Sequence, residues 1–474
     1  MKQINELGSS QGATSSSALY QSVWRWHFYA GIITAPFAIF LAITGAIYLW
    51  KPQYEAWKYH ELLHVPNESK AYVSADVQFA AARSTHADAS FVSYTPPVAL
   101  GSSSETVLTL KNTDTVSVFV NPYNGQVLGE RKESQRLMQK IHDLHGTLLA
   151  GKFGQYVVEL AATWMFVLLL TGFYLWWPRP KFQVSGFLLP RLKSGRRIFW
   201  RDIHAVTAVW SSAGMLFLLT TGMLWTQAGG GWFKDISERL GQGTPRASLT
   251  ESHQSTLIGW QPPLKAGLAE RVDNLKSNTS STKDAMPSGH HHWKKPSGTS
   301  NLAKGAISLD RVISIAEDNK VPSSYTILFP NGPTGVFSVV TDRDRPFERT
   351  FLHLDQYSGK VLADVRYKDF GLLGKYGMWA IIAHEGNLFG IFNKILGTLA
   401  AIGVMLIAVA GLVLWKIRTP ASNTLSEYPA LPWKIKLGLV LLALFLPLLI
   451  LSLIVIGIID KLLLRMFFKR RVYV

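Results

Sequence analysis

No cysteine occurs in the 474 residues. That absence removes disulfides, iron–sulfur clusters, thiolate metal sites and covalently attached c-type haem together, so a redox cofactor here has to be held by histidine or without a covalent bond. Acid is also scarce, with 31 Asp and Glu against 48 Lys and Arg and a formal charge of +17. No Gly-x-Gly-x-x-Gly or other dinucleotide fingerprint is evident. The first apolar run is too long for a signal-peptide core and no Ala-x-Ala-like site follows it closely, so it reads as a retained anchor.

What is abundant is apolar surface, 48% of residues, gathered into runs near Phe28 to Trp50, Tyr156 to Trp177, Ile203 to Trp225, Ile395 to Trp415 and Leu437 to Ile459. Each is close to the ~20 residues that cross a hydrocarbon core. Tryptophans stand at the run ends (Trp24, Trp26, Trp50, Trp176, Trp177, Trp200, Trp225, Trp415, Trp433), where amphipathic rings sit at headgroup level. The loop after the second run holds Arg179, Lys181, Arg191, Lys193, Arg196, Arg197 and Arg201, with no acid before Asp202. By the positive-inside rule this loop and the N-terminus are cytoplasmic and the two long loops are periplasmic. The basic excess is therefore chiefly a topology signal rather than a nucleic-acid surface, a patch for acidic lipid being the lesser reading. The expected location is a bacterial inner membrane, crossed several times.

Histidines mark a duplication. His27 precedes Gly45 of Thr44-Gly45 by eighteen residues, and His204 precedes Gly222 of Thr221-Gly222 by the same eighteen. His145 precedes Gly151, Gly172 and Trp176 at the offsets by which His384 precedes Gly390, Gly411 and Trp415. Between the runs, the stretch from Asn121 to Leu128 resembles that from Asp355 to Leu362, and Asn124-Gly125 and Ser358-Gly359 have hairpin-turn chemistry. Helix candidates Ala75 to Ala82 and Leu309 to Glu317 precede strand candidates Thr106 to Leu110, Val116 to Val120, Tyr325 to Phe329 and Val336 to Val340. The expected fold is a polytopic α-helical membrane protein, a four-helix core with two small α+β modules outside the membrane, written as a tandem repeat.

The expected map assigns 1–21 to a disordered cytoplasmic tail, 22–50 to span one, 51–140 to the first module, and 141–178 to a periplasmic helix and span two. The basic loop 179–201, span three at 202–226 and the second module at 227–376 follow, the last with a Ser-, Thr-, Gly- and Lys-rich flexible insert at 229–305. A periplasmic helix and span four cover 377–416, then come a cytoplasmic loop 417–435, hydrophobic segment five at 436–460 and a basic tail 461–474. A fifth crossing would place Lys461, Arg465, Lys469, Arg470 and Arg471 outside, against the charge rule; Pro447 permits a kink or re-entrant hairpin instead. Both topologies stay open.

Ionisable groups at membrane depth are costly and mark function. The segments Trp26 to Gly31, Ile141 to Gly146 and His384 to Gly390, with the Tyr-Asn-Gly-Gln-Val-Leu module, together resemble the PepSY-associated transmembrane family over roughly Ser22 to Arg418. That family includes inner-membrane ferric-siderophore reductases binding two b-type haems, and the resemblance implies the same broad activity: electrons crossing outward to reduce ferric iron in a periplasmic siderophore, releasing Fe2+ for uptake. Imidazole is a good axial haem ligand, and pairing equivalents gives His27 with His204 near the inner face and His145 with His384 near the outer, very roughly 20 Å apart in a ~30 Å core. The stripe Ala30, Gly31, Thr34, Ala38, Ala42 and Gly45 leaves room for a porphyrin, and equally lets helices approach closely.

His142 has no counterpart, Ile381 taking its place, and lies one turn from His145 as an accessory group or alternative ligand. Glu159 is a candidate for proton movement or for orienting a ligand, or is an ordinary interfacial carboxylate. His290, His291 and His292 form a tract suited to capturing metal or to nothing more than a solvated linker. His353 falls in a strand candidate, His60, His64, His86 and His253 stand isolated, and none is given a role. With no dinucleotide fingerprint, the donor is a membrane quinol or a cytoplasmic protein. Competing functions are a membrane-anchored binding or sensing protein without redox activity, and a transporter for the chelate.

Overall fold

A backbone crossing hydrocarbon has to satisfy its own N–H and C=O groups, which a helix does within one segment. The computed structural model describes residues 2–177, 184–256, 305–417, 438, 446, 448–456 and 458, the side chains of 2–18 and Glu251 excepted. Among them, four helices are long and apolar enough to cross a membrane: Leu19–Tyr48, Gly151–Trp176, Arg196–Trp225 and Ile391–Lys416. The protein is a multi-pass membrane protein. Its chain divides into a membrane unit (Met1–Leu49, Ile141–Trp232, Phe389–Val474) and a sheet unit (Trp50–Lys140, Phe233–Leu388).

Before the first half of the sheet come α1 (Lys2–Tyr48), α2 (Lys51–Lys58), α3 (His60–Leu63) and α4 (Ala75–Ser84). That half is β1 (Ser90–Thr95), β2 (Ser104–Thr109), β3 (Thr115–Val120) and β4 (Val127–Lys132). Next are α5 (Leu137–Thr147), α6 (Gly151–Trp176), α7 (Arg196–Gly222), α8 (Ala228–Arg239) and α9 (Leu309–Asp318). The second half, β5 (Tyr325–Leu328), β6 (Val336–Thr341), β7 (Thr350–Asp355) and β8 (Val361–Arg366), leads to α10 (Leu372–His384) and α11 (Ile391–Lys416).

In the membrane unit α11 packs on α7 and on α1, while α6 packs on α1 and on α7. Glycines set the closest approach: a Cβ on Gly403 would lie 2.0 Å from Ser211 Oγ, and one on Gly214 would lie 2.8 Å from Ala400 Cβ. Lipid offers helices no hydrophobic reward for associating, so such small-residue contacts, which bring backbones together, hold the bundle. The helix α1 begins at Lys2, a correction to the disordered tail expected over 1–21. Once the span is helical, each further residue adds a hydrogen bond with no new nucleation, which outweighs the weak propensity of the Ser-rich stretch. Of the fifth segment, residues 448–456 are helical, and Leu446 and Leu449 pack around Met223. Arg179, Lys181, the loop 417–435 beyond Ile417 and the basic tail 461–474 lie outside the described residues.

In the sheet unit the strands of the two expected modules join. All eight strands form one antiparallel sheet in the order β4-β3-β2-β1-β5-β6-β7-β8. The join is β1 with β5, in register Ser93 to Leu328 and Tyr94 to Ile327. Each half alone would leave that edge as unpaired N–H and C=O groups, and pairing the two edges removes both exposures. The hairpins β3–β4 and β7–β8 turn at Gly125 and Gly359, both with φ above +70°. One face of the sheet is covered by α4 and α9, whose Phe79, Ala82, Val312 and Ala316 pack on Phe91, Leu108, Val118, Ile327 and Leu352.

These two helices cap one another. Asp310 accepts from Ala75 N at 2.8 Å and Asp76 accepts from Leu309 N at 3.0 Å, so each carboxylate satisfies the other helix's first turn. Burial opposes ionisation of both. In Asp76 it prevails and the pKa is raised, whereas in Asp310 it is outweighed by hydrogen bonds from the Asp76 side chain and the Ala75 amide, and the pKa is lowered.

The insert expected to be flexible over 229–305 is ordered in its first part. Residues 229–239 belong to α8, and two 3-10 turns, Arg246–Ser248 and Thr250–Ser252, lead to a strap on the second half of the sheet. Ser255 N donates to Thr334 O at 2.9 Å, Thr256 N to Asp355 Oδ2 at 2.8 Å, and Gln356 N to Ser255 Oγ at 2.8 Å. Residues 257–304 lie outside the described ones, His290, His291 and His292 with them.

Asp76→Asn keeps an acceptor for Leu309 N and removes one of two facing charges. Because the raised pKa means that ionising Asp76 costs stability as pH rises, the variant is expected to melt higher than the parent at pH 7. The advantage should vanish below about pH 4, where the parent is protonated too. Melting curves from pH 3 to 8 check this, and a difference that does not vary with pH contradicts it.

Candidate functional site

Two of the four duplicated histidines meet inside the membrane unit. His27 on α1 and His204 on α7 have ring centroids 6.3 Å apart, with planes at 88°. Each is anchored by the helix behind it. His27 Nδ1 lies 2.8 Å from Thr171 Oγ1 on α6, and His204 Nδ1 lies 2.8 Å from the Ile407 carbonyl on α11.

These bonds fix the tautomers. A carbonyl only accepts, so His204 Nδ1 carries the proton. Thr171 has a single hydroxyl proton, and its Oγ1 donates to Val167 O at 2.7 Å, the i−4 carbonyl of its own helix. It therefore accepts from His27 Nδ1–H. In both rings the lone pair is on Nε2, the state in which a neutral imidazole ligates a metal.

The space beside the rings is a cavity of about 1050 Å³, lined by Trp24, Phe28, Gly31, Ala38, Gly172, Phe173 and Gly411 among others. A glycine lies against each ring: a Cβ on Gly172 would come within van der Waals contact of His27 Cε1, at 3.4 Å, and one on Gly411 of His204 Cε1, at 3.5 Å. At one end, Arg191, Arg197, Arg201 and Asp202 join the lining. Asp202, buried, receives Arg191 Nε at 2.7 Å and Arg201 Nη2 at 2.8 Å. Three arginines against one carboxylate leave a positive rim on an apolar chamber.

A flat apolar cofactor with acidic edge groups and a metal at its centre fits this chamber. With metal–imidazole bonds of about 2.0–2.1 Å and a ring centroid roughly 1.1 Å from its nitrogen, two coaxial imidazoles on one metal have centroids about 6.2–6.4 Å apart. The observed separation falls in that interval. Among the described residues no group of three or more His, Cys, Asp or Glu suits a bare metal ion, so a two-imidazole centre depends on the cofactor for its remaining ligands.

His145, on α5, repeats the anchoring pattern. Its Nδ1 lies 3.0 Å from Thr44 Oγ1 on α1, and Thr44 donates to Phe40 O at 2.9 Å, so His145 too is protonated at Nδ1. A Cβ on Gly45 would lie 3.1 Å from its Cε1. His142, one turn earlier, instead faces Asp143 Oδ1 at 3.3 Å and the Tyr48 ring at 5.5 Å. Thr221 donates to Phe217 O at 2.7 Å as Thr44 does to Phe40. His384 belongs to the sheet unit, as the last residue of α10.

Glu159 has a different task. Its buried carboxylate accepts from Ala228 N at 3.0 Å and Gly229 N at 2.8 Å, so it caps α8 from the neighbouring helix. Of the histidines that seemed isolated, His60 and His64 stack at 4.5 Å, His253 lies tilted against His353 at 4.7 Å, and His86 Nε2 lies 2.7 Å from Glu130 Oε2. His353 is fully buried and bonded through Nδ1 to Ser338 Oγ at 2.8 Å, and burial, helped by His253, lowers its pKa to about 4. Sequence reasoning missed the threonine partners, although each sits beside a glycine already singled out by its offset.

A sequence model of the PepSY-associated TM region matches residues 24–418. No curated protein matches the chain. Thr171→Val removes the acceptor that orients His27, and is expected to weaken metal-centre binding at this site by about 10–100-fold, whereas Thr171→Ser preserves it. Equal retention of bound metal in both variants contradicts the assignment.

Proposed function

The chain belongs to the PepSY-associated TM family, and on that premise we propose that it carries electrons through two b-type haems across a bacterial inner membrane and reduces ferric iron in a siderophore chelate outside. The observation that carries this reading is the His27–His204 pair, with both lone pairs on Nε2, spaced for one iron beside an apolar chamber. A haem held by His27 and His204 would supply one-electron exchange between ferric and ferrous iron.

The chain's own residues supply position and field. His27 and His204 hold the inner centre. Arg197 and the Asp202-braced Arg191 and Arg201 attract the carboxylate edge of the group and reduce the cost of placing it at the membrane face. His145 and His384 hold the second centre, in keeping with a tandem duplication, and the contact with a threonine and its following glycine, which His145 shares with His27 and His142 lacks, favours His145 as the ligand. The positive-inside rule, applied to the basic loop, supports an inner centre towards the cytoplasm, where a membrane quinol or a cytoplasmic protein delivers electrons. The sheet unit then lies in the periplasm and presents the surface on which the ferric chelate rests. Ferric iron takes up one electron there, and its Fe2+ product is held less tightly by the chelator and is released for uptake.

The test is a reduced-minus-oxidised spectrum of the purified protein. Two haems are expected, with His27→Ala and His204→Ala each losing the same one, His145→Ala and His384→Ala the other, and His142→Ala neither. Equal haem content in all four ligand variants sinks the assignment. Unaltered activity in them supports a binding or sensing protein in its place.

A further inference from the structure

Over its first two turns the helix α10 of the sheet unit is inside out. Leu372, Lys375, Tyr376 and Trp379 stand at i, i+3, i+4 and i+7 and so share a face, on which Leu372 is 74% and Tyr376 47% exposed. The opposite face is Gly374, Gly377 and Ala380, all buried. A helix on a water-washed domain turns its large apolar side chains to the core and its polar ones to solvent. Here the small residues are inside and the large apolar ones outside.

Close packing enforces the reversal. Gly371 N donates to Gly243 O at 3.2 Å, Gly374 N donates to Gln242 O at 2.8 Å, and a Cβ on Gly374 would lie 2.8 Å from the Gly243 carbonyl oxygen. Neighbouring rings extend the outward face. Phe347, 66% exposed between β6 and β7, meets Trp379 at 4.9 Å and Tyr367 at 5.3 Å, and Phe233 of α8 meets Tyr376 at 6.0 Å. The polar edges are turned to one another, Trp379 Nε1 donating to Tyr367 OH at 3.0 Å. Lys375 carries its ammonium away from the apolar stripe to Lys368 O at 3.3 Å, 5.2 Å from the Tyr367 ring centroid. Single exposed apolar side chains are ordinary, whereas a contiguous group marks an interaction surface.

We propose that this face of α10, together with Phe347, rests in the headgroup and upper acyl region of the bilayer. Two observations select lipid as the occupant. Residues 385–390 alone separate His384 from the span Ile391–Lys416, so at most about 25 Å of extended chain lies between the end of α10 and a helix that crosses the membrane. The composition is also that of an interfacial helix: Leu and Phe for the acyl boundary, Trp and Tyr with an apolar body and a polar edge, and a lysine whose stem is apolar and whose charge reaches away. Seated in this way, α10 is held at a fixed depth, and with it His384, its last residue. The surface rests on the span and not on haem or chelate.

The chain has no cysteine, so a single one can be introduced and labelled at will. Phe347→Cys, Leu372→Cys and Tyr376→Cys, with Lys111→Cys in the exposed β2–β3 turn as the reference, each carry an environment-sensitive fluorophore on the full-length protein. The labelled proteins are placed in nanodiscs of phosphatidylethanolamine and phosphatidylglycerol and quenched with brominated phospholipid or with aqueous iodide. The three labels on the proposed surface are expected to be quenched by the brominated lipid, and by iodide about threefold less than the label at 111, which the lipid should not reach. Absorption spectra and melting curves matching the parent show that these surface variants are folded. Iodide quenching at 347, 372 and 376 as strong as at 111 would mean that the face meets water and overturns the proposal. Protection from both quenchers would mean that protein covers it, and overturns the proposal equally.

Discussion

A threonine hydroxyl has one proton, and in the membrane helices here that proton is spent on the backbone carbonyl four residues earlier. The oxygen is then an acceptor and nothing else. Thr171 and Thr44 consequently force His27 and His145 to carry their protons on Nδ1, and the Ile407 carbonyl does the same for His204. In hydrocarbon there is no water to offer an alternative partner, so the tautomer is set by the fold. The glycines follow from the same contact: the helix carrying the acceptor comes close to the ring, so that a side chain at Gly45 would crowd His145 and one at Gly172 or Gly411 would touch His27 or His204.

The sheet unit meets its own constraints by pairing like with like. Two four-stranded halves join through β1 and β5, removing an edge from each. Asp76 and Asp310 cap each other's helices across the same boundary, at the cost of bringing two carboxylates together. Glu159 solves a related problem in the membrane unit, where the glycine-rich start of α8 brings backbone amides within reach of a carboxylate that would otherwise be expensive to bury.

Much of this was legible in the sequence because it rests on periodicity and repeats. The four spans, the two amphipathic helices, and the hairpins at Gly125 and Gly359 are local features, written in apolar runs and turn residues. The histidine offsets pointed to a pairing of His27 with His204, two residues far apart in the chain. What escaped is what local pattern does not encode. Strand β1 breaks its alternation at a bulge between Phe91 and Ser93, so its period was hidden. The joining of the modules depends on two edges distant in sequence. The role of Glu159 depends on the amides of Ala228 and Gly229, which have no side-chain signature, and His60 and His64 looked unrelated until a four-residue helix brought their rings together.

The central claim is that His27 and His204 ligate one haem iron through Nε2, with imidazole planes near perpendicular. Low-temperature electron paramagnetic resonance of the oxidised protein carrying His145→Ala and His384→Ala, which leaves this centre alone, tests it directly. Perpendicular imidazoles leave the iron orbitals that they overlap close in energy, so a strongly anisotropic low-spin ferric signal is expected. A high-spin ferric signal, or no haem signal at all, would contradict the account.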